Sequence, residues 1–122
     1  MINYEVYKII HLLGLFMVFG ALGGLLMHLK QGGSKESFSG KKFFSIVHGI
    51  GLTLAILGGF GLLARLKISA SEGWVLLKIA FWVLLAVFSL LAYRAPRMVT
   101  LFWGVLFFIG GTAVYLVQYK PF

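Results

Sequence analysis

The chain has 122 residues, 61% hydrophobic and 11% charged, with a formal net charge of +8 and no cysteine. A mean hydropathy of +1.00 is more than water can solvate around so small a domain, which excludes an ordinary soluble globule and makes lipid the expected solvent. The missing cysteines exclude disulfides, thiolate metal sites, thiol catalysis and thioether haem attachment. Nucleic acid is excluded as the partner of the positive charge. Ten of the eleven Lys and Arg residues fall in connections or at termini, where a membrane protein meets headgroups, and they make no continuous basic face.

In chain order, the polar start MINYEVYK runs into an apolar stretch over residues 9–29. That stretch is too long for a signal-peptide core and lacks a small-residue cleavage site after it, so it reads as a retained membrane helix. A Gly/Ser/Lys-rich link leads to the second apolar run, residues 43–64, FFSIVHGIGLTLAILGGFGLLA. RLKISASEG precedes the third, residues 74–93, and the basic link RAPR, with Pro96 as a helix breaker, separates it from the fourth, residues 99–119. Such short links make neighbouring helices antiparallel. The expected fold is all-α, an integral membrane up-down four-helix bundle forming a single domain over residues 1–122. Lys30, Lys35, Lys41, Lys42, Arg94 and Arg97 gather at one end, and Lys8, Arg65, Lys67 and Lys120 at the other. That bias places both termini on the non-cytoplasmic side of a bacterial inner membrane. Tyr4, Tyr7, Trp74, Trp103, Tyr115 and Tyr119 sit near helix ends, as an interfacial aromatic belt does.

Ionisable groups inside apolar runs are the functional candidates, because burial in hydrocarbon is expensive. His48 is the deepest. Gly51, Ala55, Gly58 and Gly59 follow it on the same helical face, a groove that admits another helix or a flat ligand. His28 belongs to the same leaflet and shares a ridge with Gly24, Ala21 and Gly20. His28 and His48 are therefore candidate ligands to one iron from opposite sides, with Gly24, Gly51 and Ala55 accommodating a haem b macrocycle. The competing reading of His28 is an interfacial side chain turned to headgroups, and that of His48 a core imidazole bonded to a carbonyl. The Gly20 and Gly24 ridge also suits oligomerisation. At the opposite leaflet, His11 and Lys78 each lie about one turn inside their helices and form a second candidate site for an anionic group. Lys78 alternatively snorkels to the interface. His11 and His28 stand about 25 Å apart along one helix and cannot share a centre.

Other chemistries are set aside. Glu5, Glu36 and Glu72 are the only carboxylic acids and all lie in tails or links, which argues against an intramembrane carboxylate relay, a paired-acid hydrolase and a hard-cation site. Met17, Met27 and Met98 leave thioether copper ligation open. Helix three carries Trp82, Leu85 and Ser89 on one stripe, and helix four Gly104, Phe108, Gly111, Tyr115 and Gln118 on another.

The segments YKIIHLLGLF, FSGKKFFSIVHGIGLTLAILGGFGLL and WVLLKIAFWVLL together resemble a group of small bacterial membrane proteins that includes the HemJ-type protoporphyrinogen oxidases, the CopD-type copper-resistance proteins and the SirB-like proteins. The resemblance covers most of the first three helices. It implies a haem-associated protein acting on a porphyrinogen, with His11 as the essential helix-one histidine and Lys78, in its Trp74-x-x-x-Lys78 context, as the helix-three lysine. The expected function is haem or tetrapyrrole binding for electron transfer or porphyrinogen oxidation, with His11 and Lys78 as catalytic candidates. The alternatives are a non-catalytic accessory subunit of a larger membrane complex, a homo-oligomer among them, and a copper-uptake protein.

Overall fold

The computed structural model describes residues 3–121. Four helices carry nearly all of it: α1 (Tyr4–Lys30), α2 (Lys41–Leu66), α3 (Gly73–Arg94) and α4 (Val99–Tyr119), the last entered through a 3-10 turn at Pro96–Met98. There is no strand among the described residues. Each helix is long and apolar enough to cross a membrane. α1, α2 and α3 outrun their apolar stretches, and caps at two of their ends show how. The Asn3 side chain accepts the Val6 N–H at 3.2 Å, and Glu5 sits in the first turn, so α1 starts at Tyr4 rather than at residue 9. At the far end of α2, Lys67 turns left-handed (φ 56°) and Ile68 N–H returns to the Leu63 carbonyl at 2.9 Å, a closing bond typical of a helix end.

The tightest pairing is α1 on α2, and glycine makes it possible. A Cβ added at Gly14 would stand 2.5 Å from the Gly51 oxygen; one at Gly51 would stand 2.8 Å from the Gly14 oxygen and 2.9 Å from Met17 Cβ. At Gly58 it would meet His11 Cα at 2.7 Å, and at Gly61 the Tyr7 ring. Residue numbers rise on α1 as they fall on α2, so the two helices run antiparallel with their backbones almost touching. α4 lies antiparallel to α1 as well, through Trp103 on Gly23, Phe19 on Gly110 and Lys30 on Thr100.

The core is lopsided. Five of the six buried residues of α1 lie from Val18 to Leu29, and the sixth is Gly14. They pack on Phe44, Leu85, Phe88, Ala92 and Val99 in one cluster. The opposite end holds a smaller cluster of Trp74, Val75 and Leu116. The larger buried cluster thus lies at the end carrying His28 and His48, and the smaller one at the end carrying His11 and Lys78.

The expected aromatic belt is only partly outward. Tyr4, Tyr115 and Tyr119 are exposed, while Trp74 is buried, Trp103 covers Gly23 and Tyr7 covers Gly61. Half of those residues pack helices together.

Candidate functional site

His48 and His28 occupy the same end, as their positions require, but two phenyl rings stand between them. His28 stacks on Phe38 (centroids 4.6 Å apart), Phe38 lies 6.1 Å from Phe44, and Phe44 stacks on His48 at 5.1 Å. Each imidazole also has its Nε2–H engaged. His48 Nε2 donates to the Leu85 carbonyl on α3 at 3.1 Å, and His28 Nε2 to the Ser34 carbonyl of the α1–α2 link at 2.9 Å, with the Ser37 hydroxyl 3.3 Å away. The structure does not bring the two histidines to a common centre. The groove below His48 is filled too, since Gly51, Ala55 and Gly58 are buried against α1. Gly24 is exposed, and a Cβ there would meet nothing within 4 Å. His28 works as a latch on the link, and His48 as a tie between α2 and α3.

That tie is reciprocal. Trp82 on α3 donates its indole N–H to the Leu52 carbonyl of α2 at 3.0 Å, one turn from the His48 bond running the other way. Each bond satisfies a side-chain donor among apolar neighbours, and each ties a helix to the next.

The other end is arranged differently. His11, half-buried against Gly58 and Gly59, donates Nδ1–H to the Ala55 carbonyl at 2.7 Å. A carbonyl only accepts, so Nδ1 carries the proton, and in the neutral form of the ring the lone pair lies on Nε2. Nε2 makes no hydrogen bond among the described residues. Lys78, half-buried on α3, lies within electrostatic reach of His11 and has no hydrogen-bond or ion-pair partner among the described residues. Lys120 shares this end, donating to the Val117 carbonyl at 2.8 Å with its ammonium 5.4 Å from the Trp74 ring centroid. The His11 Nε2 and the Lys78 side chain thus lie without a hydrogen-bond partner among the described residues, at the end that carries the smaller buried cluster.

No group of three or more His, Cys, Asp or Glu residues is positioned to hold a metal among the described residues. The Met17 Cβ lies against Gly51, and Met27 and Met98 are exposed. Gly20, Gly24, Gly104 and Gly111 all face outward, with open space where a Cβ would be. The α4 stripe of Gly104, Phe108, Gly111, Tyr115 and Gln118 is exposed along its length, and Val99, Leu106, Ile109 and Leu116 form the buried face.

Sequence reasoning overlooked Phe38, Phe44 and the Trp82 bond. The signals were present: Phe38 is the lone aromatic in a Gly/Ser/Lys link, and Phe44 precedes His48 by one helical turn, the spacing at which side chains stack. Comparison with family models, with curated proteins and with solved structures gave no match.

Proposed function

We propose that the protein is a multi-pass membrane protein, an up-down four-helix bundle in a bacterial inner membrane with both termini non-cytoplasmic. In this reading it binds haem or a related tetrapyrrole at the His11 and Lys78 end, for electron transfer or porphyrinogen oxidation. The observation that carries it is a ring-oriented His11 with no hydrogen bond at Nε2, within electrostatic reach of a Lys78 that has no hydrogen-bond or ion-pair partner among the described residues. Metal-bound histidines are commonly held through their other nitrogen by a carbonyl or carboxylate, which fixes the tautomer. A cation left bare at such depth is stabilised by an anion, and a propionate would supply one. His11 would ligate the iron, and Lys78 would orient the macrocycle through its carboxylate. The site therefore moves from the His28 and His48 pair to the opposite end.

An absorbance spectrum tests it. Protein purified after haem-sufficient expression, or titrated with haemin in detergent, should show a Soret band. His11→Ala should abolish the band and Lys78→Leu should weaken it, while His28→Ala and His48→Ala should retain it. A colourless protein under both conditions removes the proposal.

A second reading is favoured by the outward glycines: an accessory subunit whose open faces at Gly20 and Gly24, or at Gly104 and Gly111, receive helices of a larger complex or of a second copy. It predicts co-purifying subunits after mild solubilisation, lost on Gly20→Leu or Gly104→Leu with the isolated chain still folded. A chain that elutes alone, with these variants unchanged, refutes it.

A further inference from the structure

At the end that carries the larger buried cluster, the C-terminus of α1 and the 3-10 turn before α4 leave a surface cleft of about 410 Å³. Lys30, Gly32, Gly33, Arg97 and Thr100 form its walls, and the buried Leu29 and Val99 its apolar floor. Gly32 has φ +90°, in the left-handed region that glycine favours, where the chain turns away from the end of α1. Lys30 Nζ donates to the Thr100 hydroxyl at 3.0 Å, which spans the cleft and leaves the ammonium two further donors. The Arg97 guanidinium has no hydrogen-bond or ion-pair partner among the described residues. Six basic residues gather at this end against a single carboxylate, Glu36.

We propose that this cleft binds the phosphate of an anionic phospholipid. Arg97 and Lys30 grip the phosphate oxygens, and the Leu29 and Val99 floor receives the first carbons of the lipid. A planar guanidinium with no protein partner matches a phosphate bidentately, and an ammonium already anchored by Thr100 loses little freedom on meeting it. The cleft opens where two apolar helices end, which is the depth of headgroups rather than of acyl tails or bulk water. The proposal rests on the bilayer placement above and not on the tetrapyrrole.

The test is native mass spectrometry of the detergent-solubilised chain titrated with phosphatidylglycerol or phosphatidylcholine. The first phosphatidylglycerol should bind with higher affinity than phosphatidylcholine. Arg97→Gln should weaken it about five- to tenfold, the scale of one basic residue at an anionic surface. Lys42→Gln, which removes the same charge at the same end but outside the cleft, should change it by less than about twofold. Equal losses in the two variants would reduce the effect to general charge and overturn the site. Complete displacement of the lipid by millimolar inorganic phosphate would assign the cleft to a soluble anion and overturn the lipid. Release of the chain from membranes by alkaline carbonate would overturn the bilayer placement and the lipid site together, whereas a retained chain without headgroup preference overturns the site alone.

Discussion

The sharpest consequence of the fold is that one methyl group has opposite effects at two glycines of the same helix. Gly14→Ala would put a Cβ 2.5 Å from the Gly51 oxygen and 2.9 Å from the Leu54 carbonyl carbon, where ordinary contact begins near 3.4 Å. Both obstacles are backbone, so no side chain can swing aside. The helices must part by roughly 1 Å, a gap that already forfeits a quarter to a half of the dispersion attraction along the seam. The His11 bond to the Ala55 carbonyl, at 2.7 Å and one turn away, stretches with it. Overpacking of this kind costs about 1–3 kcal/mol, offset by up to about 1 kcal/mol of improved helix propensity. Gly20→Ala gains the same propensity and meets nothing within 4 Å. In SDS-driven unfolding from mixed micelles, followed by tryptophan fluorescence, Gly14→Ala should therefore lose about 1–2 kcal/mol while Gly20→Ala is neutral or gains up to about 1 kcal/mol. Two variants indistinguishable from each other would refute the close α1–α2 approach.

The reciprocal tie between α2 and α3 predicts that His48→Ala and Trp82→Phe each destabilise by roughly 0.5–1.5 kcal/mol, the range for hydrogen bonds between membrane helices. Because both bonds hold the same pair of helices, a double-mutant cycle should show coupling of at least about 0.5 kcal/mol. Strict additivity would mean that the two bonds act separately. His28 latches the link through Ser34 and stacks on Phe38. His28→Ala should accordingly accelerate proteolysis within residues 31–40 and leave the unfolding midpoint nearly unchanged, and equal cleavage rates would deny the latch.

Most of the architecture is legible in the sequence, because its cause is local. Four long apolar runs separated by short basic links need no knowledge of the partner to be read as helices long enough to span a membrane, and α4 begins and ends where its apolar run does. The face of α2 bearing His48, Gly51, Ala55 and Gly58 is equally plain from helical periodicity, and all four residues are buried. What fills that face is a different question. Periodicity shows that space exists beside a helix without showing whether a neighbour or a ligand takes it. Here α1 does, with its own Gly14 opposing Gly51. The pairing of His28 with His48 fails for a related reason. Depth along the helix puts both imidazoles at one end, but the intervening column depends on Phe38, whose position is set by how the link folds back rather than by any helical repeat. Conversely, the free Nε2 of His11 and the bare ammonium of Lys78 are properties of what surrounds them. The sequence supplied the two residues, and only the packing of three helices decided that a carbonyl orients one and that no group among the described residues pairs with the other.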